Sequence, residues 1–316
     1  MVRWLFVGPT LLAGIGQVTH QYAKLVNGDF VSFGDQIPNK DYDVGFGFVL
    51  PIIQHLTLVD QMLARCKKKM YMTICETETV HPLYQLLVER YGTLWTPSEF
   101  CLNVFKRQFP QGNWKLLRLY APVPKQLPLI PNRPYTFYTI GNVLDQRKNI
   151  KMLLEAFIRM KKPEGRQVAL LIKATCKEPF VVRIPGIEVI NGLVSDEDLN
   201  KIHARSDCYV NCSHSEGVGM GAYEAALRNK PVILPEYGGL KEYVQTPFII
   251  GCGLTPIGSD DFLFQKDMLW GKPKLEDLIR HMETCAEQNI QTWDHSYSHQ
   301  LNLDTIHSLE TCTVSL

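Results

Sequence analysis

The chain has 316 residues, 45% hydrophobic and 21% charged, with a formal net charge of +1. That length suffices for two domains with separate cores, and the balanced charge excludes a dedicated nucleic-acid binder, which carries a basic face. Nine cysteines, an odd number with no CxxC pair, exclude a disulfide framework and a zinc site and read as buried reduced thiols.

In chain order, Trp4 to Gly8 reads as a short buried strand. Gly8-Pro9, Gly14 and Gly16 break its apolar run, so it is neither a signal peptide nor a membrane span. No other window reaches spanning length, and a soluble, cytoplasmic protein is expected. Pro9 to Gly16 reads as a loop. From Gln17, the residues Val18, Tyr22, Leu25 and Val26 recur at helical spacing, which makes a strand, glycine loop and helix. Val44 to Pro51 and Met70 to Ile74 read as strands, with a helix over Thr57 to Cys66 between them. Lys67-Lys68-Lys69 reads as the cationic end of that helix. Leu83 to Tyr91 is a predicted helix, Thr93 to Trp95 a strand, and Ser98 the cap of a further helix. Trp95, Phe100, Phe105, Lys106, Arg107, Phe109 and Trp114 read as core and surface residues, with a peripheral membrane contact as the alternative.

Tyr120 to Pro134 holds five prolines and little periodicity, so the domain boundary is placed near residue 132. The same alternation then restarts. Tyr135 to Ile140 reads as a strand, Gly141 to Lys148 as a polar loop, and Asn149 to Met160 as a helix with Ile150, Leu153, Leu154, Phe157 and Ile158 on one face. Strands follow at Val168 to Lys173 and Ile187 to Ile190, and then the turn Asn191-Gly192. Ser195 caps a short helix with Asp198 in the capping-box position. An apolar run, Cys208-Tyr209-Val210, leads into a polar turn and Glu216. Gly217, Gly219 and Gly221 follow at alternate positions, then a helix bearing Glu224, the strand Pro231 to Leu234, and Gly238-Gly239. Ile249 to Cys252 is a last short strand, and Leu275 to Ala286 an amphipathic helix. The expected organisation is 1–132 and 133–290, with 291–316 as a helix lying back on the first domain or a loose tail. This is an α/β protein of two Rossmann-like βαβ domains facing across a cleft, with ligands at the carboxyl ends of the strands.

Three constellations carry chemistry. Gly14 and Gly16 open a helix start to a diphosphate, but Thr19 stands where the dinucleotide fingerprint has its third glycine, and there is no GK[ST]. Arg147 and Lys148 lie in the loop after a strand, with Lys173 at the next strand end. Cations are unfavourable at a helix N-terminus unless an anion sits there, which points to phosphates. Gly217, Gly219 and Gly221 expose amides beside Glu216 and Glu224, whose carboxylates accept hydrogen bonds from sugar hydroxyls.

The segment SEGVGMGAYEAALRNKPVILPEYGGLKEYV resembles the E-x7-E signature of retaining glycosyltransferases of the GT-B fold, in particular family 4. GNVLDQRKNIKMLLEAF resembles that family's donor-phosphate loop, and TPSEF its strand-to-helix junction. The resemblance is strong over most of residues 135–245 and extends to the first half only in layout. It implies a metal-independent enzyme, with no metal site and no cofactor beyond its donor, a UDP- or GDP-sugar. The acceptor would be a glycan, glycoprotein or glycolipid. Carried over by position, Glu224 binds the ribose, while Glu216 and the amides of Gly217, Val218, Gly219 and Met220 hold the sugar. Lys148 and Arg147 grip the diphosphate with the Gly14–Gly16 loop, and Gly192, Leu193 and Val194 lie against the base. Asn142 stands where the family has an arginine. His81 is the candidate for its histidine near the reacting carbon, with a surface or capping histidine as the alternative. A nucleotide-sugar epimerase using Glu76 and Glu78, a non-catalytic nucleotide-sugar or glycan-binding module, and a nicotinamide dehydrogenase are the rivals.

Overall fold

A computed structural model describes residues 2–10, 14–123, 127–128, 130 and 133–315. The boundary expected near residue 132 lies outside them, as do residues 11–13 of the first loop. The chain divides into two compact units, one of Met1–Pro122, Pro256–Met268 and Gln300–Leu316, the other of Val123–Thr255 and Leu269–His299.

The first unit contains β1 (Trp4–Gly8), α1 (Gly14–Leu25), β2 (Asp29–Ser32), β3 (Tyr42–Phe48), α2 (Ile53–Met62), β4 (Cys66–Met72), α3 (Gln85–Arg90), β5 (Leu94–Thr96), α4 (Glu99–Gln108) and β6 (Trp114–Leu116). Its sheet is parallel throughout, in the order β2-β1-β3-β4-β5-β6. The core is aromatic: Phe6, Tyr22 and Phe46 are fully buried and their rings lie within 6.5 Å of one another. Each such side chain contributes about 1.5–3 kcal/mol by leaving water. Gly45 and Gly47 of β3 let α2 settle against the sheet. A Cβ on Gly47 would stand 2.8 Å from Val59 Cγ1, and one on Gly45 2.8 Å from Leu63 Cδ2.

Several expectations change here. α1 begins at Gly14, so both glycines belong to its first turn and not to the loop. β2 and β6, each under five residues, carry no pattern long enough to read. Lys67, Lys68 and Lys69 do not end a helix; they are the exposed first half of β4, opposite β3, with Lys67 paired to Asp43 at 2.9 Å. Trp95, Phe105, Phe109 and Trp114 are buried, and Phe105 stacks on Trp114 at 4.5 Å, so these rings are core and not a membrane-docking surface. Among the described residues no helix is long and apolar enough to cross a membrane.

The second unit contains β7 (Tyr135–Gly141), α5 (Ile150–Arg159), β8 (Val168–Ala174), β9 (Ile187–Asn191), α6 (Asp196–Ala204), β10 (Cys208–Val210), α7 (Met220–Ala226), β11 (Val232–Pro235) and β12 (Ile249–Ile250). β13 (Cys252–Pro256) and β14 (Leu269–Pro273) form a separate ladder, and α8 (Leu275–Glu287) follows. The main sheet is again parallel, in the order β12-β11-β10-β7-β8-β9. α5 buries Ile150, Met152, Leu153, Ala156 and Phe157; Ile158, expected on that face, is exposed. Below the sheet, Asp207 is fully buried and forked by Arg133, with Nη2 donating to Oδ1 at 2.7 Å. Its Oδ2 also accepts the Thr136 amide at 2.7 Å.

The last helix, α9 (Ser296–Ser315), starts in the second unit, where Ser298 Oγ donates to the Tyr243 carbonyl at 2.7 Å. From Gln300 it belongs to the first, where Asn302 pairs with both main-chain groups of Ala121.

Candidate functional site

In the second sheet the strand order reverses at β7, whose neighbours are β8 on one side and β10 on the other. Loops leave the carboxyl ends of β7 and β10 there, at the switch point where doubly wound sheets bind ligands. Arg147 and Lys148 follow β7, and Glu216 follows β10.

Local chemistry shapes both loops. Asp145 Oδ1 accepts the Arg147 amide at 2.9 Å, and Asn149 takes a left-handed turn (φ 52°) into α5. Asn211 Oδ1 accepts the Ser213 amide at 2.9 Å, which tightens the turn after β10. The loops are joined by the His214 amide donating to the Arg147 carbonyl at 2.7 Å and by Asn149 Nδ2 donating to the Cys212 carbonyl at 3.2 Å. Gly219 ends the second loop with φ 79°, and a Cβ there would stand 2.4 Å from Leu240 Cδ2. Gly238, at φ 90°, lies against Glu216, with the place of its missing Cβ 2.6 Å from the Glu216 carbonyl oxygen. The Gly239 amide donates to that same oxygen at 2.9 Å.

Glu216 is the centre of the arrangement. It is 5% exposed. Lys148 Nζ donates to Oε1 at 2.6 Å, Arg147 Nη1 to Oε2 at 2.9 Å, and Ser213 Oγ to Oε1 at 2.8 Å. Burial pushes its pKa up, but Lys148 and Arg147 outweigh burial and hold the carboxyl down to about 2. Arg147 also donates to the Ser215 carbonyl at 2.8 Å and to Asp145 Oδ2 at 3.3 Å. The anion expected at this helix start is therefore present within the protein: Glu216 itself. Two cations face two carboxylates, and the cluster is neutral.

Gly238→Ala is expected to destabilise the protein by about 2 kcal/mol, from the left-handed backbone and the forced shift of the Glu216 main chain. Urea unfolding checks this; a midpoint equal to wild type would refute it.

The remaining candidates are scattered around this centre or away from it. Glu224 is half-buried on α7, and burial raises its pKa against the opposing pull of Arg228. Lys173 is 1% exposed and donates to the carbonyls of Gly192 and Ala174, so its charge fixes the ends of β8 and β9. Gly192 turns with φ 82°, and Leu193 beyond it is exposed. Asn142 is exposed. In the first unit, a Cβ on Gly16 would stand 2.3 Å from the Thr10 carbonyl oxygen, whereas Gly14 has open space. Thr19 is accommodated because Gly8 on β1 leaves room; a Cβ there would lie 3.3 Å from Thr19 Oγ1. His81 Nδ1 accepts the Leu83 amide at 3.1 Å and caps the helical turn Pro82–Tyr84. Glu78, weighed as an epimerase carboxylate, pairs with Arg107 at 3.5 Å.

Asp145, Asn211 and Ser213 were not singled out as site residues by the sequence, and Gly238 was read as one of a glycine pair without its contact to Glu216. Ser213, three residues before Glu216 in a turn, carried the only local signal.

Similar architectures are known. Anabaena HepE in complex with UDP and glucose matches with a TM-score of 0.65, covering 100% of both chains at 11% identity. A glycosyltransferase from Rickettsia africae matches at 0.62, over 97% of this chain and 93% of its own, at 12% identity. Sucrose-phosphate synthase from Thermosynechococcus elongatus matches at 0.60, over 98% and 94%, at 13% identity. The chain has the GT-B fold. No protein of curated function matches the sequence. Within this GT-B chain, residues 134–256 match the family model described as glycosyl transferases group 1. Arg147, Lys148, Lys173, Glu216 and Glu224 all lie inside that segment.

Proposed function

We propose that the chain is a retaining glycosyltransferase that moves a sugar from a nucleoside-diphosphate sugar to a hydroxyl of a glycan, glycoprotein or glycolipid. The observation that carries this reading is the ionised Glu216, gripped by Arg147 and Lys148 at the switch point and followed at E-x7-E spacing by Glu224. The family match over the same segment and the fold shared with a UDP-bound protein support it.

The residues then divide the work. An anionic Glu216 is a hydrogen-bond acceptor for sugar hydroxyls and no proton donor. With the amides of Val218 to Met220 it orients the transferred sugar. Lys148 and Arg147 exchange part of their contact with Glu216 for the diphosphate and stabilise the charge that develops as it leaves. The bond from the anomeric carbon to phosphate breaks, the bond to the acceptor oxygen forms on the same face, and the acceptor proton passes to the departing diphosphate. Glu224 holds the ribose diol, and Gly192 to Val194 border the base. The donor is a UDP- or GDP-sugar, with UDP favoured by the UDP complex of a structural neighbour.

Incubation with UDP-, GDP- and ADP-sugars, with and without acceptors, followed by analysis of the anomeric configuration of the product, tests the reaction. An inverted product would overturn retention. Glu224→Ala is expected to weaken UDP binding by about a hundredfold, the loss of a charge-assisted pair of hydrogen bonds. Calorimetry reads it, and an unchanged affinity removes Glu224 from the site. A non-catalytic nucleotide-sugar module is the second reading. It is favoured by Asn142 in place of the family arginine and by the neutrality of the Glu216 cluster, and it predicts binding without turnover.

A further inference from the structure

We propose that residues 175–183, clasped to the end of β9 by Asn191, form one wall of a nucleobase subsite; the base rests on the nucleotide-sugar reading above. β8 and β9 are parallel neighbours, in register from Leu170 opposite Ile187 to Ala174 opposite Asn191. A crossover between parallel strands is ordinarily a helix. Here residues 175–186 make the crossover and contain no helix, so its path is fixed by bonds to other segments. At its start the Thr175 amide donates to the Gly141 carbonyl at 2.9 Å, at the carboxyl end of β7. Midway, Asn191 Oδ1 accepts the Phe180 amide at 2.8 Å, and Asn191 Nδ2 donates to the Phe180 carbonyl at 3.0 Å. One side-chain amide thus pairs with both main-chain groups of one residue, as a neighbouring strand would. The clasp holds the middle of the crossover against the last residue of β9.

A clasp alone would serve the fold. Two further observations point to a ligand. The first is that the buried Lys173 donates to the Gly192 carbonyl, the residue after the clasp. Turn and crossover are therefore both pinned at the carboxyl ends of the strands, where doubly wound sheets take their ligands. The second is that apolar side chains stand open on both pinned segments. Val181, next after Phe180, is 68% exposed, and Leu193, two residues after Asn191, is 53% exposed. Apolar surface left in water on a fixed backbone is covered favourably by a flat ring with apolar faces, which a nucleobase supplies. Val181 and Leu193 then touch the base, and Asn191 is a positioning residue that acts through the Phe180 main chain.

Hydrogen–deuterium exchange of the full chain, alone and with UDP, GDP or inorganic pyrophosphate, reads the subsite directly. A bound nucleotide should slow uptake across residues 175–183 and 191–194 by about tenfold, and pyrophosphate should leave both segments as in the free protein. Equal uptake with and without a bound nucleotide overturns the proposal. Calorimetry then separates the clasp from a merely structural role. Asn191→Ala should weaken the preferred nucleotide about tenfold and leave pyrophosphate unchanged. Asn191→Asp keeps the acceptor for the Phe180 amide and loses the donor to its carbonyl, so it should fall between Asn191→Ala and wild type. Equal losses for nucleotide and pyrophosphate, or none for either, overturn the positioning role. If Asn191→Ala does not fold, Val181→Ser at the surface should weaken the nucleotide about threefold with pyrophosphate unchanged, and an unchanged nucleotide affinity there overturns the proposal equally. A wild-type protein that binds pyrophosphate but neither nucleotide refutes the base subsite alone. One that binds none of the three refutes the donor-site reading and the subsite with it.

Discussion

Glu216→Gln should lower transfer about a thousandfold and stability by about 3 kcal/mol. The amide keeps the shape of the side chain but leaves Arg147 and Lys148 as half-buried cations without their common partner, and removing one member of a buried pair costs about 3–5 kcal/mol. On the glycosyltransferase reading proposed above, the catalytic loss follows from misplacing the two donors assigned to the developing charge. A pH signature accompanies it. The folded pKa of Glu216 is about 2 against an ordinary value of 4.5. A depressed carboxyl stabilises the fold above its unfolded pKa, and that stabilisation fades as pH falls from about 4.5 towards 2. The shift corresponds to about 3 kcal/mol. Urea unfolding at pH 7 and pH 3 should therefore show a gap between wild type and variant that narrows at the lower pH. A constant gap would show that the ion cluster is not its origin.

Arg133→Ala should cost about 3–5 kcal/mol, because Asp207 has no exposure to water and would keep, among the described residues, the Thr136 amide as its hydrogen-bond donor and Lys230 as a nearby cation. Asp207→Asn in the same background should recover more than half, since a neutral amide tolerates burial where a lone carboxylate does not. Thermal and urea unfolding of the single and double variants check this. Additive losses would mean that the two side chains do not act as a pair.

The architecture was legible because its strands are short apolar runs and its helices carry a clear stripe. Val168 to Lys173 and Leu275 to Ala286 reappear within a residue of their structural limits. Ser98 and Ser195 cap the helices they introduce, accepting amides at 3.3 and 3.1 Å. Where the reading failed, a local rule met a tertiary one. Three consecutive lysines do not alternate, yet in β4 all three are exposed while Cys66, Met70, Tyr71 and Met72 are buried. Ile158 continues the apolar face of α5 in sequence but is exposed. The site was half legible. Glycine spacing and paired glutamates marked the segment, and the cations marked the loop after β7. That Arg147 and Lys148 close on Glu216 was not readable, because 68 residues separate Lys148 from Glu216 and only the reversal of strand order brings them together.

The buried thiols give the molecule its own stopwatch. Cys66, Cys75 and Cys101 lie inside the first unit and Cys208, Cys212 and Cys285 inside the second, and none of them forms a disulfide. Burial pushes the Cys66 thiol up to about 11 and the Cys212 thiol up to about 12, and holds Cys75 and Cys208 well above the ordinary range. Only a thiolate in contact with solvent is alkylated, so each of these sulfurs is silent until its own surroundings open. A brief pulse of iodoacetamide followed by mass mapping would time the opening of the two halves separately, without an added label, and would tell whether a nucleotide that binds beside Glu216 slows one half or both.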